Sequence, residues 1–194
     1  MSTREALAVA SLVVLFGGCA SPTRDTPKLG RPATPPTGDT PKLGRLATPA
    51  EIAGWDISIP PDGRGLPPGA GTAAEGALVY AQKCQVCHGE KGVGGPNDRL
   101  VGGQGTLASK APVRTVGSYW PYATTVFDYV RRSMPFFQPH SMTDGEVYAV
   151  TAYLLNLNGI ISEQEVMNAE TLPRVKMPNR DNFILVYPWK PKVP

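Results

Sequence analysis

Five consecutive residues, Cys84-Gln85-Val86-Cys87-His88, carry the strongest chemical signal in the chain. Two thiols separated by two residues and followed at once by an imidazole form the pattern at which a polypeptide attaches a c-type haem. The sulfurs of Cys84 and Cys87 would add to the two vinyl groups, and His88 would meet the iron. The short spacing lets one tight turn at a helix end present both sulfurs to the same porphyrin edge. Competing chemistries fit less well. A thioredoxin-like dithiol belongs beside a strand-helix unit of parallel-sheet type, and no such unit is visible in the sequence. A structural zinc needs four ligands, and beyond the two thiols only the crowded His88 and the distant His140 are offered.

An iron held by His88 on one side takes its second ligand from elsewhere in the chain, or keeps that side open. Met134 is the first candidate. It precedes Pro135, and proline disfavours helical geometry in the residue before it, so Met134 is expected to be extended just where a helix ends, with its thioether free to turn inward. His140 would give a bis-histidine haem of lower potential. Met177 is also followed by proline but lies beyond the closing helix. Met1 falls in a leader, Met142 just before a helix cap and Met167 in a short helical turn. A thioether stabilises ferrous iron and raises the potential, which suits a carrier that accepts electrons. Arg99, Tyr119 and Trp120 are candidate partners for haem propionates, the alternative being ordinary loop and core packing. Arg131 and Arg132 close a helix, where cations suit the dipole; docking of a partner is the weaker alternative.

The elements that must position these residues follow from capping and periodicity. Thr72 with Glu75 forms a capping box, and Ala74, Ala77, Leu78 and Ala81 recur at helical spacing, so a helix of about three turns delivers Cys84. Gly89 turns the chain away, and the glycine-rich stretch to Gly117 reads as a loop around the haem's lower edge. Pro121 suits the first turn of a helix that runs to about Arg132 with Tyr122, Val126, Phe127 and Val130 on one face. Thr143 with Glu146 opens a last helix carrying Val147, Val150, Leu154 and Leu157, with Gly159 as terminator, packed across the first. Ser162 with Glu165 marks one further turn, and from Leu172 the chain reads as extended.

The chain of 194 residues is long enough for one domain plus appendages, and its 21 glycines and 21 prolines point to much loop and linker. A net charge of +3 with no basic run leaves no footprint for nucleic acid. Residues 1–18 read as a signal peptide: Arg4 supplies the charge, and the apolar stretch from Ala6, at about thirteen residues, is too short to span a bilayer. The end of that stretch, Leu15 to Cys19, resembles a bacterial lipoprotein box. Lipidation of Cys19 is therefore expected, with ordinary cleavage after Ala20 as the alternative; either puts the haem domain outside the cytoplasm, in the periplasm. Residues 19–50 form a proline-rich linker in which 25–35 is repeated at 39–49 with a period of 14. Residues 51–71 form an N-terminal arm whose Ile52, Trp55, Ile57 and Ile59 are expected to cap the core, the alternative being docking on a partner. The haem domain occupies 72–160, and 161–194 is a C-terminal extension.

Beyond the haem motif, the sequence contains Ala50-Glu-Ile-Ala-Gly-Trp-Asp56, Gly65-Leu-Pro-Pro-Gly69, Asp98-Arg-Leu-Val-Gly-Gly103, Val116-Gly-Ser-Tyr-Trp-Pro-Tyr-Ala123, the stretch from Phe127 to Pro135, and Met177-Pro-Asn-Arg-Asp181. On these phrases the chain, from about Leu43 to Asp181, resembles class I c-type cytochromes. It is most similar to the cytochrome c subunit of sulfur dehydrogenase in bacterial thiosulfate-oxidising (Sox) systems, with the sulfite dehydrogenase cytochromes close behind. The resemblance implies an all-α, class I cytochrome c-like helical haem domain with extended N-terminal and C-terminal arms. It also implies covalent haem c on Cys84 and Cys87, and iron held by His88 and Met134. By the same resemblance the catalytic centre lies on another chain. A molybdenum-containing sulfur or sulfite dehydrogenase subunit would supply single electrons, and a downstream cytochrome would take them. Some members carry a second haem domain; here one motif predicts one haem. A stand-alone membrane-tethered shuttle, feeding a terminal oxidase, is the competing reading. A haem enzyme or gas sensor would need an open iron site, against which Met134 argues.

Overall fold

The computed structural model describes residues 44–184. The signal peptide, Cys19, most of the repeat linker and the last ten residues lie outside the described residues. By its contacts the chain falls into two units, Met1–Leu46 and Ala47–Pro194, and the architecture below is that of the second.

Five α-helices occur among the described residues: α1 (Pro49–Trp55), α2 (Ala73–Lys83), the single turn α3 (Gln85–His88), α4 (Ala123–Ser133) and α5 (Asp144–Leu157). One antiparallel bridge joins two two-residue strands, β1 (Ala70–Gly71) and β2 (Met167–Asn168), pairing Ala70 with Asn168 and Gly71 with Met167. The domain is small and helical, with α5 at its centre packed on α2 and α4, the architecture expected from the resemblance.

Both expected capping boxes are present. The Thr72 N–H donates to Glu75 Oε2 at 2.8 Å and the Glu75 N–H returns a bond to Thr72 Oγ1 at 3.3 Å. Thr143 and Glu146 do the same at 2.7 and 3.2 Å. Each box satisfies two amide groups that have no partner inside the helix. Helix α5 buries residues almost all round, from Val147 to Leu155. Thr151 is tolerated there because its hydroxyl donates to the Val147 carbonyl at 2.7 Å. Fully burying side chains such as Phe127 and Leu155 stabilises the fold by about 1.5–3 kcal/mol each.

Helix α2 turns a different face to the core than its apolar periodicity suggests. Ala73, Gly76 and Tyr80 are buried, whereas Ala74, Leu78 and Ala81 are exposed. The cause is close approach: a Cβ at Gly76 would collide with the Ala149 carbonyl of α5, so the contact face is built on an absent side chain. Helix α4 starts later than expected. Tyr122 is its N-cap with φ −141°, which leaves Pro121 ahead of the helix rather than in its first turn.

The arms differ from expectation in three places. Residues read as irregular arm form α1, closed by a capping box between Thr48 and Glu51, and this helix buries nothing. Trp55 is 88% exposed and does not cap the core; of the four apolar anchors only Ile59 is buried. Met167 lies in β2 instead of a helical turn, and a 3-10 turn at Leu172–Arg174 interrupts the segment expected to be extended. Leu172 and Met177 from this segment enter the core.

Candidate functional site

The two thiols sit where one helix hands over to another. Cys84 closes α2, its N–H donating to the Tyr80 carbonyl at 2.9 Å, and its own carbonyl accepts from the Cys87 and His88 N–H groups at 3.1 and 3.0 Å. One turn of helix therefore fixes the motif. Gly89, at φ +79°, then reverses the chain, a conformation that suits a residue without a Cβ. Tyr80, one turn before Cys84 and buried, donates its hydroxyl to the Gly89 carbonyl at 3.0 Å. The returning loop is tied back by the Asn97 N–H on the Cys87 carbonyl at 2.9 Å.

His88 Nδ1 lies 2.7 Å from the Asp98 carbonyl oxygen. A carbonyl can only accept, so Nδ1 carries the proton and Nε2 keeps its lone pair for a metal. Cys84 and Cys87 are half-buried free thiols. Burial pushes the Cys84 thiol up to about 11, opposed by nearby Lys83 and reinforced by Cys87, so at neutral pH it stands as a neutral S–H.

Met134 follows the last residue of α4 in the extended conformation expected, φ −121° and ψ 147°, with its N–H bonded to the Val130 carbonyl at 3.1 Å. It is half-buried. The other candidates are placed differently. Met142, Met167 and Met177 are core residues, and His140 is exposed in a turn at φ +63°. Arg99 Nε donates to the Val101 carbonyl at 3.1 Å. Tyr119 stacks under the Arg114 guanidinium at 5.6 Å, and Trp120 meets Tyr129 edge-on at 5.7 Å. Arg131 pairs with Asp144 and Arg132 with Asp128, so both guanidinium groups bond within the domain.

A family model described as cytochrome c oxidase, cbb3-type, subunit III matches residues 71–154, the stretch that contains the motif and α2 to most of α5. Among solved structures, a chain in the crystal structure of the sulfane dehydrogenase SoxCD from Paracoccus pantotrophus is similar at 43% identity and a TM-score of 0.70, covering 77% of this chain and 72% of that one. The chain belongs to the Sox cytochrome c family. Among proteins of curated function, no significant match is found.

Membership of a cytochrome c family implies covalently bound haem c, and the residues of this cytochrome fit that group. Two unbridged thiols and an imidazole with a free Nε2 stand within one helical turn. Cys84, Leu100, Trp120 and Met134 are among the partly buried apolar residues packed against the core. When bound, haem supplies one-electron redox chemistry. Cys84 and Cys87 would hold it covalently, with His88 kept in one tautomer for the iron. Sequence reasoning missed the Asp98 carbonyl, because a backbone acceptor has no side-chain signature. It also missed Tyr80, although a tyrosine one helical turn before the first cysteine of the motif was there to be read. A separate cavity of about 610 Å³, lined by Gln104, Arg114, Tyr119, Asn179 and Phe183 among others, does not touch the motif.

Proposed function

We propose that this cytochrome takes single electrons from a molybdenum-containing subunit that oxidises sulfane sulfur or sulfite, and passes them to a downstream cytochrome. In this reading Cys84 and Cys87 carry one haem, His88 and Met134 hold its iron, and the reaction centre lies on the partner. The likeness to a SoxCD chain carries the proposal. Coverage of 77% of 194 residues is about 149 residues, more than the 89 of the haem domain at 72–160, so the likeness continues into the arms. An exposed Trp55 on a seven-residue helix that buries nothing adds support, since so short a helix gains little stability alone. The leader and Cys19 support a periplasmic cytochrome tethered by lipid.

The test uses the full chain, tagged and captured from solubilised membranes of its host. Co-recovery of a molybdenum protein, with haem reduction on addition of sulfite or thiosulfate, is the expected result. A monomer that no sulfur compound reduces would overturn the proposal in favour of a stand-alone shuttle.

A further inference from the structure

Helix α4 carries a carboxylate in its middle that core packing does not explain. Asp128 is 8% exposed. Its Oδ1 accepts from the Ile59 N–H at 2.8 Å and from Arg132 Nε at 2.9 Å, while Oδ2 accepts from Arg132 Nη2. The bond to Ile59 is one of three made in step. Arg131 Nη1 donates to the Ile57 carbonyl at 3.4 Å, and Thr124 Oγ1 donates to the Pro61 carbonyl at 3.1 Å. Every second residue of the arm from 57 to 61 is therefore bonded to α4, and the two run in opposite directions.

The opposite side of α4 buries Val126, Phe127 and Val130 in the core. Apolar contacts of that kind hold the helix down but resist sliding and rotation weakly, because they are not directional. The three polar bonds are directional, and they lie within the last three turns before Met134. A ligand displaced by about 1 Å is enough to degrade a site of this kind.

Resting on the reading of Met134 as the iron's second ligand, we propose that Asp128 is a positioning residue: by fastening the 57–61 arm to α4 it sets where the Met134 thioether stands. Asp128 touches neither haem nor ligand and acts through the helix. Removing the Asp128 carboxylate leaves the Ile59 N–H, on a buried residue, without its acceptor, so its loss is felt along the helix.

The test is competition for the iron by added imidazole, measured on the haem-loaded full-length chain alongside thermal melting. Asp128→Ala removes the acceptor of the Ile59 N–H; Thr124→Val removes the Pro61 bond without touching Asp128. Met134→Ala sets the limit for an undefended iron. We expect Asp128→Ala to bind imidazole about tenfold more tightly than the unmodified chain, and Thr124→Val to shift in the same direction by less, both short of Met134→Ala. Lower melting temperatures with unchanged imidazole affinity would make Asp128 a purely structural residue and overturn the proposal. If Met134→Ala itself binds imidazole no more tightly than the unmodified chain, the ligand reading beneath the proposal fails first, and the two failures are told apart.

Discussion

The 2.7 Å bond between His88 Nδ1 and the Asp98 carbonyl selects the Nδ1–H tautomer of the neutral ring. It also fixes the ring's orientation, as such outer partners of metal-binding histidines do. The motif itself was legible because its chemistry depends on side-chain types at fixed spacing. Its support was not, because Asp98 contributes a backbone atom and Tyr80 a hydroxyl whose target, Gly89, is also backbone. The extended backbone of Met134 was legible through the proline that follows it. Replacing Met134 with alanine should lower the midpoint potential by on the order of 100 mV, within the range of about 0.8 V over which axial ligands move haem potentials. A redox titration reads this directly, and an unchanged potential and spectrum would remove Met134 as a ligand.

At the scale of elements, the contact between α2 and α5 turns on what Gly76 lacks. Gly76→Ala would drive a methyl group into the Ala149 carbonyl, and such overpacking costs about 1–3 kcal/mol. Thermal unfolding should show a melting temperature lower by about 5 °C or more, while a variant melting with the parent would mean that the helices separate at no cost. Helices α2 and α5 were legible from their capping boxes, yet the buried face of α2 was misjudged because glycine adds nothing to an apolar pattern. The same signal, Thr48 with Glu51 behind Pro49, was present for α1 and was masked by the surrounding prolines and glycines. Asp128 escaped notice because its partner Ile59 lies 69 residues away in sequence.

Glu146 makes the pH behaviour of α5 predictable. Its carboxyl is held below the ordinary glutamate range, first by the Thr143 N–H and next by Lys83, whose Nζ lies 2.9 Å from Oε1. A carboxyl depressed in the folded state contributes stability that is present above the unfolded value and is lost as pH falls through the folded one. Stability, measured by unfolding followed by circular dichroism, should therefore fall on acidification below the usual glutamate value. Glu146→Gln should lower stability at neutral pH and flatten that acid limb; a limb as steep as the parent's would assign the acid loss to other groups.

At the scale of the whole molecule, the helical domain and its cofactor were legible, whereas the disposition of the arms was not. Trp55 and Ile59 look alike as apolar anchors in sequence, but one stands in water and the other in the core. The non-local bonds to Asp128, Arg131 and Thr124 hold 57–61 and leave Trp55 outside. Met167 likewise acquires its place from a partner nearly a hundred residues earlier, at Gly71.

That pairing of Ala70 and Gly71 with Met167 and Asn168 has a mechanical side. The four residues close the stretch between them into a loop, while Ile59 ahead of the clasp and Leu172 and Met177 beyond it also enter the core. A pull arriving along the N-terminal side is met first by the three bonds of 57–61 to α4 and then by this clasp, both ahead of α2. Load along the arm would then be borne by hydrogen bonds that can break and re-form before it reaches α2 and the motif which that helix delivers.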